Sequence, residues 1–179
     1  MIDRFHDSNE RHSKNFDIRH AGFGNENQLQ KPFGGTIKGI ISNIDYIKNL
    51  GCTALWLSPV FENNPESYHG YAIQNYMDVD KRWGTKEDMV ELVDKAHNLD
   101  IRVFLDIVLH HSGDNWSYPF DYDYFYADGQ RFPLGGWRDK DRPLPVELRD
   151  EELYNRKGQI RNFDAYPETQ EGDFFTLKT

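Results

Sequence analysis

A single cysteine, Cys52, stands in the whole chain, so no internal disulfide framework holds the fold together. No apolar run approaches the roughly 20 residues that a membrane-spanning helix needs. Residues 1 to 4 show no basic start leading into an apolar stretch, so no signal peptide is expected there. Positive charge is short: 21 Lys plus Arg face 30 Asp plus Glu, a formal charge of −9. Such a surface is repelled by nucleic acid and by anionic membranes, so neither is expected as a partner. Internal repeats and low-complexity tracts are lacking too. What remains is a chain of 179 residues, long enough for one domain or one and a half, with 15% aromatic residues beside an ordinary 37% of hydrophobic ones. That aromatic excess is a first pointer to a ligand with flat, weakly polar faces.

The first half carries regular periods. Ile37, Ile40, Ile41, Ile44, Ile47 and Leu50 recur every three or four residues, which predicts one amphipathic helix ended by Gly51. The run from Thr53 to Pro59 reads as a short strand buried on both faces. After a loop, Thr85 and Asp88 form a capping-box pattern ahead of Met89, Leu92, Val93, Ala96 and Leu99, so a second helix is predicted. Residues 101 to 109, from Ile101 to Leu109, read as a second buried strand. Helices alternating with strands at this rhythm predict βαβ units and a parallel sheet. Beyond His111 the pattern stops. Residues 112 to 179 hold 14 of the 26 aromatics but only seven Leu, Ile and Val residues, with Trp116, Tyr118, Phe120, Tyr122, Tyr124, Phe125 and Tyr126 set among Asp114, Asp121 and Asp123. This stretch is expected to be an irregular excursion with a hairpin or two, and residues 5 to 32 mostly loop.

In parallel α/β sheets the functional groups gather at the carboxyl ends of strands. Asp106 is the sharpest anomaly, an acid within the apolar run Leu105-Asp106-Ile107, because a buried carboxylate costs several kcal/mol unless donors or a cation meet it. It either bridges or caps structural elements, or serves a ligand. His110 and His111 follow, but neighbours leaving a strand point in opposite directions and rarely share one metal ion. One histidine presented to a ligand hydroxyl is the preferred reading. The loop Tyr68-His69-Gly70-Tyr71, near Asn63, Asn64, Asn75, Tyr76 and Trp83, suits a sugar. Rings stack on its C–H faces while amides and imidazoles bond its hydroxyls. The same tyrosines pack down as ordinary loop residues in the competing reading.

Taken together, these stretches resemble glycoside hydrolase family 13, the α-amylase family. The likeness is carried by Phe33-Gly34-Gly35-Thr36-Ile37-Lys38-Gly39-Ile40, by Asn49 through Val60, by Tyr68-His69-Gly70-Tyr71, by Trp83-Gly84-Thr85 and by Asp106-Ile107-Val108-Leu109-His110-His111, in order and at family-like spacing. The resemblance implies an α/β fold: a partial (β/α)8 barrel of about three βα units over residues 1 to 111. An irregular inserted domain after strand three, residues 112 to 179, completes the expectation, with Met1 to Phe5 as the end of strand one. It implies retaining action on α-1,4-glucosidic bonds of starch-like or maltodextrin substrates. The nucleophile and the acid/base would come from the remainder of the barrel, beyond Thr179, so no residue of this chain is assigned to catalysis and the chain alone is expected to be inactive. Substrate-side roles would fall to Tyr71, stacking on the ring being cleaved, to His111 on its hydroxyls, to Asp106, orienting an arginine of the next strand, and to His69. The resemblance equally admits an α-glucanotransferase, or a non-catalytic sugar-binding or interaction subunit of the same fold. No cofactor is expected. The family's structural calcium is disfavoured because His110 stands where an asparagine is usual, and calcium takes oxygen donors.

Overall fold

A computed structural model describes residues 1 to 8, 32 to 120 and 124 to 173. Most of the loop expected at the start, together with Asp121, Tyr122 and Asp123, lies outside the described residues. The chain divides into two compact units. One comprises Met1–Val60, Tyr68–Gly70 and Asp78–Ile107, the other Phe61–Ser67, Tyr71–Met77 and Val108–Thr179.

In the first unit the isoleucine stripe forms two short helices, α1 (Ile37–Ser42) and α2 (Ile44–Asn49), where the periodicity predicts one. The break is local chemistry. The Asn43 amide donates to the Gly39 carbonyl at 2.9 Å, and the Ser42 hydroxyl donates to the same oxygen at 3.0 Å. Side chains of this kind compete with the backbone for helical partners. The stripe stays in phase across the break, so Ile37, Ile40, Ile41, Ile44 and Ile47 are all buried while Leu50 is exposed. Gly51, at φ +81°, takes the left-handed turn that follows.

Strand β1 (Ala54–Leu57) pairs in parallel with a later strand, Arg102–Leu105, setting Leu55 opposite Val103 and Trp56 opposite Phe104. Between them runs the longest described helix, Lys86–Asn98. Its capping box is formed as expected, with Thr85 Oγ accepting from the Asp88 N–H and the Asp88 carboxylate accepting from the Thr85 N–H. Leu92 and Ala96 are fully buried in the core they share with the isoleucines, Val60, Val79, Trp83 and Ile101. Parallel strands joined through a helix make the βαβ unit the sequence predicts.

Two expectations are corrected here. The strands are not buried on both faces: Leu55, Leu57 and Val103 meet the helical core, whereas Trp56 is 73% exposed and Phe104 52%. Among the described residues each of these strands has one neighbour in its sheet, and the helical core covers only one of its faces. Residues Ile2–Arg4 form a 3-10 turn rather than the end of a strand. The buried Asp3 carboxylate fixes that turn by accepting from the Phe33 and Gly34 N–H groups at 3.0 Å and pairing with Arg4 at 2.9 Å. Arg4 in turn lies between the rings of Phe33 and Tyr68.

The second unit is built on turns. Strands β2 (Phe61–Asn63) and β3 (Ile73–Val79, its last two residues in the first unit) form a two-stranded sheet where a loop is expected from the sequence. With the helix Lys86–Asn98 as α3 and Arg102–Leu105 as β4, the remaining pair is β5 (Trp116–Ser117) and β6 (Gly136–Trp137), antiparallel. The pair is antiparallel, as in a hairpin, but residues 118 to 135 separate its strands. A small aromatic core joins Trp116, Tyr154 and Trp137, with the Trp116 and Tyr154 rings 4.9 Å apart and edge-on. Two 3-10 turns, Val146–Arg149 and Glu151–Leu153, and helix α4 (Glu168–Glu171) follow, tied by Arg156 to Glu151 and by Lys157 to Glu171. No described helix is long and apolar enough to cross a membrane.

Candidate functional site

The polar residues flagged by composition part into two sets. Those rich in amide groups hold the scaffold of the second unit. Asn63 is 3% exposed; its oxygen accepts from the Ala72 N–H at 2.8 Å, and its amide donates to the Phe61 carbonyl at 2.8 Å. Asn64 accepts from the Glu66 N–H and donates to the Asp114 carbonyl. Asn75 donates to the Glu62 carboxylate at 2.7 Å and accepts from the Met77 N–H, and Arg142 clamps the same carboxylate at 2.7 and 2.9 Å. The expectation that these amides bond a sugar's hydroxyls is therefore corrected, because both ends of each amide already serve the fold.

Tyr71 and His111 are brought together. His111 Nε2 lies 2.9 Å from the Tyr71 carbonyl oxygen. A carbonyl only accepts, so Nε2 carries the proton and Nδ1 is left as the acceptor nitrogen of the neutral ring. Burial lowers the imidazole pKa and His110 adds to the effect, while the bond to Tyr71 opposes them. The Tyr71 side of the contact is more open, with 37% of the residue exposed.

The backbone behind His111 is held by Tyr76, whose hydroxyl lies 3.1 Å from the Val108 carbonyl and 3.0 Å from that of His111. Burial, helped by the nearby Tyr154, pushes the Tyr76 hydroxyl up to about 12, so it remains a donor at any working pH. Next to it the Gly113 N–H donates to the Ile73 carbonyl at 2.6 Å, an approach so close that a Cβ on Gly113 would sit 2.4 Å from the Ala72 oxygen. Glycine is required there by close backbone approach rather than by a special φ.

The other expected site residues belong to the first unit. Asp106 is half-buried rather than buried, and its N–H donates to the Leu57 carbonyl at 3.0 Å, extending the ladder between β1 and β4 by one residue. His69 sets its ring edge-on to Tyr68 at 5.5 Å. In the second unit His110 is exposed, its ring centre 6.3 Å from that of His111 and nearly perpendicular to it. Among the described residues no group of three His, Cys, Asp or Glu side chains comes together as a metal site would need. Tyr76 and Gly113 are the residues whose part in the site goes beyond the sequence reading. The signal for Tyr76 was the alternation of Ile73, Met77 and Val79, interrupted by Asn75 on the same phase, which hid β3.

Comparison with known proteins is consistent across the chain. Residues 1–131 match the family model for the alpha amylase catalytic domain. The chain is 49% identical over 83 residues, 46% of its length, to alpha-amylase 2 of Dictyoglomus thermophilum, and 39% identical over 84 residues, 47% of its length, to an oligo-1,6-glucosidase of Heyndrickxia coagulans. It covers only 14% and 15% of those two proteins. Among solved structures, an alpha-amylase from Geobacillus thermoleovorans complexed with acarbose superposes with a TM-score of 0.61 at 29% identity, over 99% of this chain and 31% of the other.

Proposed function

Because the chain belongs to the alpha-amylase family of glycoside hydrolases, whose catalytic domain is a TIM barrel, we propose that it is the N-terminal part of a retaining α-glycoside hydrolase acting on α-1,4-glucosidic bonds of starch-like or maltodextrin chains. Residues 1 to 111 supply about three βα units of the barrel and residues 112 to 179 its inserted domain. The exposed Trp56 and Phe104 side of β1 and β4 is the surface that the remaining strands cover. The chain spans less than a third of the solved amylase it superposes on, so the reaction belongs to the whole protein.

The observation that carries this reading is the Tyr71–His111 pair, in which the imidazole is bonded to the Tyr71 backbone carbonyl and the tyrosine is partly exposed. An aromatic ring offers a platform for the C–H face of a glucose unit, and a neutral imidazole meets hydroxyls without attracting anions. Tyr71 stacks on the ring at the cleavage point, and His111 meets that ring's hydroxyls. Asp106 orients an arginine of the next strand, and His69 contributes to binding of the substrate. Retention needs two carboxyls roughly 5–5.5 Å apart, one as nucleophile and one as acid then base. Both come from the rest of the barrel, so the 179-residue chain alone turns over no substrate. No step is routed through calcium: His110 offers nitrogen where that ion takes oxygen.

The test is steady-state kinetics of the whole enzyme on a chromogenic maltooligosaccharide, with Tyr71→Ala and His111→Ala. Removal of contacts strengthened in the transition state lowers kcat and kcat/KM together. Unchanged constants in both variants overturn the assignment. Products longer than the substrate identify a transferase instead.

A further inference from the structure

Tyr76, which holds the backbone behind His111, lies outside the stretches that carry the family resemblance, yet its geometry is specific. Residues 108 to 110 belong to no helix or strand and His111 sits in an isolated bridge, and the carbonyls of Val108 and His111 both point at Tyr76. One phenol proton serves both, as a three-centre hydrogen bond of 3.1 and 3.0 Å. Tyr76 is itself anchored from two sides. Its N–H donates to the Leu144 carbonyl at 3.0 Å, and its ring lies 5.9 Å from that of Phe61. Neighbouring Asn75 is tied through Glu62 to Arg142, so the strand that bears Tyr76 is braced where the hydroxyl must be steady. From His111 the chain of contacts runs outward, from imidazole Nε2 to the Tyr71 carbonyl and hence to an exposed phenol.

We propose that Tyr76 is a positioning residue for sugar binding: by holding the Val108 and His111 carbonyls it fixes the imidazole that carries the Tyr71 backbone, and so sets the angle at which the Tyr71 ring meets its ligand. This rests on the reading of Tyr71 as the ring that stacks on the sugar. Tyr76 touches no substrate; it acts through His111. The relay explains why a tyrosine rather than a phenylalanine stands at a site where the ring alone would fill the space beside Phe61. His111 holds one tautomer because the Tyr71 carbonyl accepts only from a protonated Nε2, so the tautomer reports whether the imidazole is still in place.

The deciding variant is Tyr76→Phe in the whole enzyme, which deletes one oxygen and keeps the ring. Two readouts are taken together. Imidazole 15N shifts report the tautomer of His111, with the dispersion of the amide spectrum confirming that the variant is folded. Kinetics on a maltooligosaccharide report kcat and KM separately. Expected are mixed tautomers of His111 and a fall of about 10- to 100-fold in kcat/KM, as small misplacements of a binding group produce. Tyr76→Leu is expected to do the same and more. A single Nε2–H tautomer retained in Tyr76→Phe, or unchanged kinetics in that variant, overturns the relay. A hydroxyl with a merely structural role lowers the melting temperature and leaves the tautomer as it was. Tyr71→Ala separates the two claims: if it loses turnover while Tyr76→Phe does not, the relay is wrong and the sugar reading stands. If Tyr71→Ala keeps turnover, the sugar reading falls and the relay falls with it.

Discussion

Replacing Asn63 with alanine distinguishes an amide that builds the site from one that binds the ligand. In the wild type both ends of this side chain are paired at 2.8 Å, to the Ala72 N–H and the Phe61 carbonyl, and the residue is 3% exposed. Alanine leaves both backbone groups without these partners. Each buried group stranded in this way costs about 1–3 kcal/mol, so the pair costs about 2–6 kcal/mol. At roughly 2–4 °C per kcal/mol for a domain of 150–250 residues, the melting temperature falls by about 4–24 °C. The assay is thermal unfolding of the whole enzyme, wild type and Asn63→Ala, under one buffer, followed by KM for a maltooligosaccharide well below both transitions. The expected result is a large loss of stability with KM changed little. An unaltered melting temperature with KM raised tenfold refutes the reasoning, because it places the amide on the ligand.

Asp106 is half-buried in this chain, and Asp106→Asn is expected to destabilise the whole protein by up to about 3–5 kcal/mol, the cost of breaking one side of an ion pair once the next strand buries it; an unchanged urea midpoint shows that no arginine meets it. His111 has its pKa lowered by burial, so the unfolded chain takes up its proton first as pH falls. The wild type therefore loses stability below about pH 6.5, and His111→Gln flattens that limb of a melting-temperature profile. Asp173 behaves in the opposite sense. Burial pushes its carboxyl up to about 7, and neither oxygen has a hydrogen-bond partner among the described residues. Its stabilising contribution is full below about pH 4 and is lost as pH rises through 7, so Asp173→Asn is expected to raise the melting temperature at pH 8 and leave it unchanged at pH 4.

What could be read from the sequence follows from how local each determinant is. The helix Lys86–Asn98 announced itself because its cap and its apolar stripe both lie within its own residues. The parallel pairing of β1 with β4 followed from the rhythm of the elements. Asn43 divided the first helix by a side-chain bond that spacing alone does not reveal. The sheet partner of residues 61 to 63 stayed hidden since β3 sets Asn75 in phase with Ile73, Met77 and Val79 and Tyr76 in phase with Gln74 and Asp78, which blurs the alternation on both faces. For the site, residue type named Tyr71 and His111, but not the bond between them, which depends on a fold that brings positions 40 residues apart within 2.9 Å. The asparagines misled because an amide suits a sugar hydroxyl and a backbone group equally well, and only the partners of Asn63, Asn64 and Asn75 decide between them.

The anomeric configuration of the first product tests the proposed chemistry most directly. Maltotriose or a longer maltodextrin is mixed with the whole enzyme, and the anomeric protons of the released sugar are followed by NMR before mutarotation mixes them, with the 179-residue chain run alongside. Retention through a covalent glycosyl-enzyme predicts that the α anomer appears first with the whole enzyme and that the chain alone releases nothing. A β anomer appearing first, or turnover by the 179-residue chain that survives repurification, contradicts it.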